Sequence, residues 1–381
     1  MYKFVNRNDD STVYSAVAEV LTKRNSEWLC VQKDSARFHL MLGEINKLPF
    51  ARLGHGQGMN PLVNYYRGSG RLCRKTALVK TLQEYCSNCN KDPFQIIPPT
   101  YYLYPKIADV PMESGNSLKA VKMRSMQNKT DEREAFMKCY HKMKENKQGD
   151  VWIAKSTSGA KGEGILISDN PQQLIDYIDE QKQSHVIQKY LEKPLLLNGD
   201  RKFDIRCWVL LDHQYNIYLY KEGVLRTASD PYKPQDYSDT TGHLTNHCLQ
   251  EALSPNFGKY EIGNEMFFDE FNSYLQDRYQ TEMEESLIPQ IKEIIKESLY
   301  SVQVHISTEG LSYHSFQLFG FDFMVDSDFK VWLIEVNGSP ASAEKLLPGL
   351  SSAIVTVAID PVFPPQNESE DKEQTLFQKL N

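Results

Sequence analysis

Two carboxylates and an amide near the end of the chain have the spacing of a cation site. Phe319, Phe321, Phe323 and Val325 alternate with Gly320, Asp322, Met324 and Asp326, the period of a half-buried strand. Ser327–Lys330 interrupt the pattern, and Val331-Trp-Leu-Ile-Glu-Val-Asn337 resumes it. A four-residue turn over 327–330 predicts pairing of 326 with 331, hence of Asp322 with Glu335, with Asn337 on the same face. Facing carboxylates repel, and with no Lys or Arg expected among them the set invites a hard cation. Oxygen-only ligands suit Mg²⁺, which keeps several waters and accepts substrate phosphates. The alternative is a solvated sheet face.

A second group supplies the opposite charge. Lys155 closes the strand candidate Val151-Trp-Ile-Ala-Lys155 and opens Ser156-Thr-Ser-Gly-Ala-Lys-Gly-Glu-Gly-Ile165. A glycine-rich turn lets backbone N–H groups approach phosphate oxygens, here with Lys161 and Gly162 in the loop. The Gly-Lys-Ser/Thr order of a Walker A loop is absent. In Lys202-Phe-Asp-Ile-Arg206, alternation sets Lys202, Asp204 and Arg206 on one face and Phe203, Ile205 and Cys207 on the other. Three charges beside an apolar run predict a lined cleft; an exposed edge strand would read the same way. Arg226, Thr245 and Asn246 are further polar candidates.

The elements that must position these groups alternate between strand and helix. His185–Tyr190, Phe203–Leu211 and the segment from Asn216 read as strands, the last two turning at Asp212–Tyr215. Asn170 caps a helix that begins at Pro171. Over 282–300, Leu287, Ile288, Ile291, Ile294, Ile295 and Leu299 form one helical face, best read as core. The polar stretch 105–127 reads as a mobile loop.

The chain has 381 residues, 40% hydrophobic and 24% charged, values of a soluble globular protein rather than a disordered or fibrous one. No window approaches the 18 or more apolar residues of a membrane helix. The start lacks the apolar stretch of a secretory signal, so a cytosolic protein is expected. Seven cysteines, with one lone Cys86-Ser-Asn-Cys89, are neither a disulfide framework nor a zinc site with enough ligands. The net charge of −7 conceals an asymmetry: residues 1–80 carry 13 Lys/Arg and 6 Asp/Glu, so they sum to +7 and the remainder to −14. Such a basic start predicts an acidic partner.

Together, Lys155, Ala160-Lys-Gly-Glu-Gly-Ile165, Gln188-Lys-Tyr-Leu191, Lys202–Arg206, His243-Leu-Thr-Asn-His247 and Phe321-Asp-Phe…Ile334-Glu-Val-Asn337 resemble the tubulin–tyrosine ligase family. The resemblance runs from Met1 to about Pro365. The basic start, with Asn64-Tyr-Tyr-Arg-Gly68 and Leu72-Cys-Arg-Lys75, looks closer to the tyrosine-adding branch than to the glutamylating one.

This resemblance implies a mixed α/β ATP-grasp fold with ATP between its last two domains. The expected divisions are 1–72 (basic, tubulin docking), 73–190 (central), 191–365 (C-terminal, with the metal site) and a flexible tail, 366–381. It implies Mg²⁺ and ATP, with the acidic tail of α-tubulin and free tyrosine as substrates, joined through an acyl phosphate. Lys155, Lys161, Gly162, Lys202, Asp204 and Asn246 would serve ATP, and Gln188, Lys189, Tyr190 and Leu191 its adenine. Asp322, Glu335 and Asn337 would hold the metal. Lys155, Arg206 and Glu335 would be catalytic, Arg206, Arg226 and Thr245 would meet the amino acid, and Arg71, Arg74 and Lys75 would dock tubulin. The implied protein is a cytoplasmic, cytoskeleton-associated monomer, with neither nucleic acid nor membrane as partner. Glutamate or glycine ligation, and a non-catalytic tubulin-sequestering protein, are the alternatives.

Overall fold

The computed structural model describes residues 1–7, 12–53, 60–106, 129–157, 164–181, 183–366 and 376–381. The glycine-rich residues Lys161 and Gly162, and nearly all of the 105–127 stretch, lie outside them. Three sheets organise the rest.

The first is a parallel five-stranded sheet at the start of the chain, in the order His314–Ser315, Leu62–Val63, Leu40–Gly43, Tyr2–Arg7, Trp28–Val31. Its central strand Leu40–Gly43 is buried throughout, whereas Tyr2–Arg7 and Trp28–Val31 are buried only in part. Helix Thr12–Lys23 and helix Leu347–Ile354 pack together beside it, around Phe4, Val17, Leu21, Leu42 and Ile354. The edge strand His314–Ser315 comes from some 250 residues downstream, so this unit is not closed by its own sequence alone.

The second sheet is four-stranded and antiparallel, ordered Thr100–Leu103, His185–Lys189, Trp152–Ser156, Ile165–Ser168. Helices Arg133–Glu145 and Pro171–Glu180 cover one face through Phe136, Tyr140, Leu174 and Ile178, packed on Trp152, Ala154 and Ile187. The second helix starts as its sequence predicts: the Asn170 side chain accepts from the N–H groups of Gln172 and Gln173, and Pro171 fills the first position.

The third sheet is six-stranded. Glu265–Phe267, Ile217–Thr227, Phe203–Leu211, Gln317–Val325 and Val331–Asn337 follow in order, and Phe377–Lys379 pairs with Ile217–Thr227. Helix Ile288–Ile306 buries the predicted Ile291, Ile294, Ile295 and Leu299 face against Phe203, Ile205, Phe319, Phe321 and Phe323. Expectation and structure differ at the end of the chain. Residues 376–381 are not a loose tail: Phe377 is buried and Asn381 accepts a hydrogen bond from the Ile217 N–H at 2.7 Å.

The opposite face of this third sheet changes character along one strand. Trp208 and Leu210 are buried against the N-terminal unit, whereas Lys202, Asp204 and Arg206, in the same alternation, line a cleft. That cleft lies between the second and third sheets. Among the described residues no helix is long and apolar enough to cross a membrane.

Candidate active site

The cleft has a volume of about 310 Å³. Its walls bring together most of the residues singled out in the sequence: Lys155, Gln188, Lys189, Tyr190, Leu191, Lys202, Asp204, Arg206, Arg226, Thr245, Asn246, Asp322, Glu335 and Asn337. Segments more than 180 residues apart converge here because the second sheet offers its uncovered face to the third.

Asp322 and Glu335 are register partners, as expected, but by a different route. The hairpin pairs Val325 with Val331, Met324 with Trp332 and Phe323 with Leu333, one residue out of the predicted register. The pairing then shifts to Asp322 with Glu335, so that Ile334 is bulged out. Without that extra residue Glu335 would stand opposite Phe321, whose side chain is buried in the core. The bulge turns Glu335 onto the cleft face while Val331, Leu333 and Val336 stay buried.

The expectation that no Lys or Arg lies among the metal candidates is overturned. Arg206, opposite Asp322 in register, donates to both of its carboxylate oxygens, Nη2 reaching Oδ2 at 2.9 Å. Arg226 Nη2 donates to Asp322 Oδ2 at 2.7 Å, and its Nε donates to Asp204 Oδ1 at 2.8 Å. Thr245 Oγ1 donates to Asp204 Oδ2. Lys75 Nζ lies 3.2 Å from Glu335 Oε2. Strand alternation placed these residues on one face, but not the cross-strand neighbours that neutralise them.

Burial alone would raise the pKa of Asp322; the Arg206 and Arg226 guanidiniums outweigh it and hold the carboxyl well below the usual range. Burial dominates at Asp204 and raises it, against Arg226. Arg226 itself is raised, its two carboxylates more than offsetting the cost of burial.

The lysines are arranged differently. Lys202 is 1% exposed and forms no ion pair among the described residues; its Nζ donates to Tyr190 Oη at 2.8 Å. Burial, then repulsion from Lys155, lowers it to about 7. Lys155 Nζ donates to Gln188 Oε1 at 2.8 Å and is lowered to about 8 by burial and then by Lys75. Such ammonium groups, which form no ion pair among the described residues although Asp204 attracts Lys202 and Glu335 attracts Lys155 at longer range, are prepared for an anion that the protein does not itself supply. Lys189 is otherwise engaged, donating to Val151 O at 2.9 Å, to Tyr190 O and to Glu192, so its side chain braces the end of its own strand, His185–Lys189. Asn246 caps the helix His247–Leu253 while lining the cleft.

Two parts of the site were not anticipated. Ile153, Ile165, Leu244, Met324 and Ile334 supply apolar walls, which strand patterning could not separate from core. Lys75, expected on a docking surface, opens the helix Lys75–Asn88 and turns into the cleft, while Arg71 and Arg74 are exposed.

A model of the tubulin-tyrosine ligase family matches residues 55–371. The chain belongs to this family. Its two facing sheets over a cleft are the family's mixed α/β ATP-grasp architecture. Tubulin glycylase 3C of Tetrahymena thermophila is 32% identical over 224 residues, 56% of this chain and 21% of its own length. Probable tubulin polyglutamylase TTLL9 of Bos taurus is 25% identical over 322 residues, 74% of this chain and 64% of that protein. Tubulin monoglycylase TTLL3 of Homo sapiens is 26% identical over 237 residues, 56% and 29% respectively. This family member thus spans about a fifth of the first relative's length and under two thirds of each.

Proposed function

We propose that the protein is an ATP-dependent ligase that joins an amino acid to a carboxylate of tubulin through an acyl phosphate. The observation that carries this reading is one cleft in which Lys155 and Lys202, in no ion pair among the described residues, share the space with the Asp204–Arg226–Asp322–Arg206 network. A carboxylate is a poor acyl donor, since charge and resonance repel an amine. When its oxygen attacks the γ-phosphorus of ATP, an acyl phosphate forms and ADP leaves. The amine then attacks the activated carbonyl, expelling phosphate and giving up a proton.

Lys155 and Lys202 would stabilise negative charge on the phosphates, and Arg206 would face the acyl phosphate, so catalysis would be positioning and electrostatics. The Gln188–Leu191 strand end, with Ile153, Ile165 and Met324, would receive the adenine. Arg226 and Thr245, fixed by Asp204, would meet the incoming amino acid.

The donor chemistry fits Mg²⁺ through Glu335. Its side chain is 33% exposed, and beyond Lys75 at Oε2 its Oε1 has one long contact from Asn337 Nδ2 at 3.4 Å. Asp322, Glu335 and Asn337 would hold the ion, which supplies charge neutralisation across phosphate oxygens when bound.

For the amino acid, the resemblance of Asn64–Gly68 and Leu72–Lys75 to the tyrosine-adding branch supports tyrosine at the C-terminus of detyrosinated α-tubulin. The second reading is glycine or glutamate, and the names of the relatives favour it. Incubating the protein with Mg²⁺, ATP, carboxypeptidase-treated tubulin and labelled tyrosine, glycine or glutamate separates them. Incorporation of tyrosine alone is expected. Incorporation of glycine or glutamate alone would replace the tyrosine reading, and none with any of the three would overturn the ligase.

A further inference from the structure

His243 ends the short helix Thr240–His243, two residues before Thr245 of the cleft. It is 2% exposed, and its ring lies among those of Tyr190, Tyr232 and Tyr237, at centroid distances of 5.7, 5.0 and 6.0 Å. Its two nitrogens have different partners. Nε2 is 3.0 Å from the Lys233 carbonyl oxygen, which can only accept, so Nε2 carries the proton. Nδ1 is then the acceptor, and it lies 2.6 Å from Tyr190 Oη. The tyrosine proton therefore points at His243, leaving the Tyr190 oxygen to accept from Lys202 Nζ at 2.8 Å. One carbonyl thus sets the polarity of three successive hydrogen bonds, the last two of them buried.

We propose that His243 is a positioning residue for nucleotide: through Tyr190 it fixes the direction of the Lys202 ammonium, leaving its other protons for the phosphates. This rests on the reading of the cleft as an ATP site. Burial, and next the Lys202 ammonium, lower the His243 pKa, which keeps the imidazole neutral and able to accept. Lys202 forms no ion pair among the described residues, so without the relay its ammonium is held by less directional forces, the longer-range pull of Asp204 and the faces of the Tyr190 and Tyr232 rings, whose centroids lie 4.4 and 5.1 Å from Nζ.

The test is equilibrium binding of a fluorescent ATP analogue with Mg²⁺, without tubulin or amino acid. Tyr190→Phe removes one oxygen from the relay and is expected to weaken binding about tenfold, the size of one hydrogen bond to a charged group. His243→Leu, which keeps volume without an acceptor, should weaken it about as much. His243→Asn, which returns an acceptor near the Nδ1 position, should stay within about threefold of the parent. The double variant Tyr190→Phe/His243→Leu should be no weaker than Tyr190→Phe alone, since both break one chain. In turnover, KM for ATP should rise. Parent-like binding by Tyr190→Phe, or losses that multiply in the double variant, would overturn the proposal. If the leucine variant does not fold, Tyr190→Phe and His243→Asn decide it alone. Failure of the unaltered protein to bind the analogue would instead overturn the ATP reading beneath it.

Discussion

Asp322 and Glu335 face each other across the last hairpin because the strand between Leu333 and Glu335 carries one residue too many. The bulged Ile334 lines the cleft, and the carboxylate after it leaves the core face. A local irregularity of one residue thus decides whether the site has its second carboxylate.

Glu335→Gln keeps shape and removes charge. It is expected to lower kcat for ligation by at least about 100-fold, the loss typical of deleting a group that stabilises transferred charge, while tubulin still binds. Steady-state turnover beside a tubulin pull-down measures both. Undiminished turnover would remove Glu335 from the chemistry.

Burial and Lys155 lower Lys202 from its ordinary 10.5 to about 7. Below pH 7 folded and unfolded chains both hold the proton, and folding bears the cost of the buried charge. Between about pH 7 and 10 the unfolded chain retains a proton that the folded chain has lost, so stability gains a contribution that rises with pH. Lys202→Met should abolish that rise and be more stable than the parent at pH 7. Urea unfolding at pH 7, 8 and 9 measures it; equal slopes in both proteins would refute it.

Arg71 and Arg74 are exposed, whereas Lys75 contacts Glu335. Arg71→Glu with Arg74→Glu should raise KM for tubulin several-fold at low salt, with the difference shrinking as salt rises. Lys75→Met should instead lower kcat. If all three changes act on KM alone, Lys75 belongs with docking after all.

Gly320 stands opposite Asn337 with no room beside it. An alanine Cβ there would lie 2.8 Å from Pro340 Cβ and 3.2 Å from Arg206 Cδ. Gly320→Ala is expected to cost about 1–3 kcal/mol by overpacking and to displace Arg206, reducing kcat. Urea unfolding and turnover test this; a fully active, equally stable variant would contradict it.

Much of this was readable in the residues because alternation is a local property. Phe203, Ile205 and Cys207 had to face a core, so Lys202, Asp204 and Arg206 had to face something else. The Asn170-Pro171 helix start and the apolar stripe of 288–299 were readable for the same reason. What escaped depends on partners distant in sequence. No residue type marks Ile334 as a bulge, since the shift comes from strand pairing. Arg226 reaches Asp322 only because both neighbouring strands pair with Phe203–Leu211. Lys75 enters the cleft only because its helix packs against Thr100–Leu103 and His185–Lys189 of the second sheet. Phe377 lies in a short polar context that conceals its place on a sheet edge.

The strand His314–Ser315 completes the N-terminal sheet by pairing with Leu62–Val63, and Tyr14 Oη accepts from the N–H of Leu318 three residues further on. During synthesis, then, the edge at Leu62–Val63 stays uncovered until some 250 more residues have been made. At roughly 5–20 residues per second that interval is about 12–50 seconds. A parallel sheet with an open edge is a template for wrong partners during that time. The same strand-to-strand connection that ties the basic unit to the Asp322 strand makes the nascent chain a client for protection until its last quarter emerges.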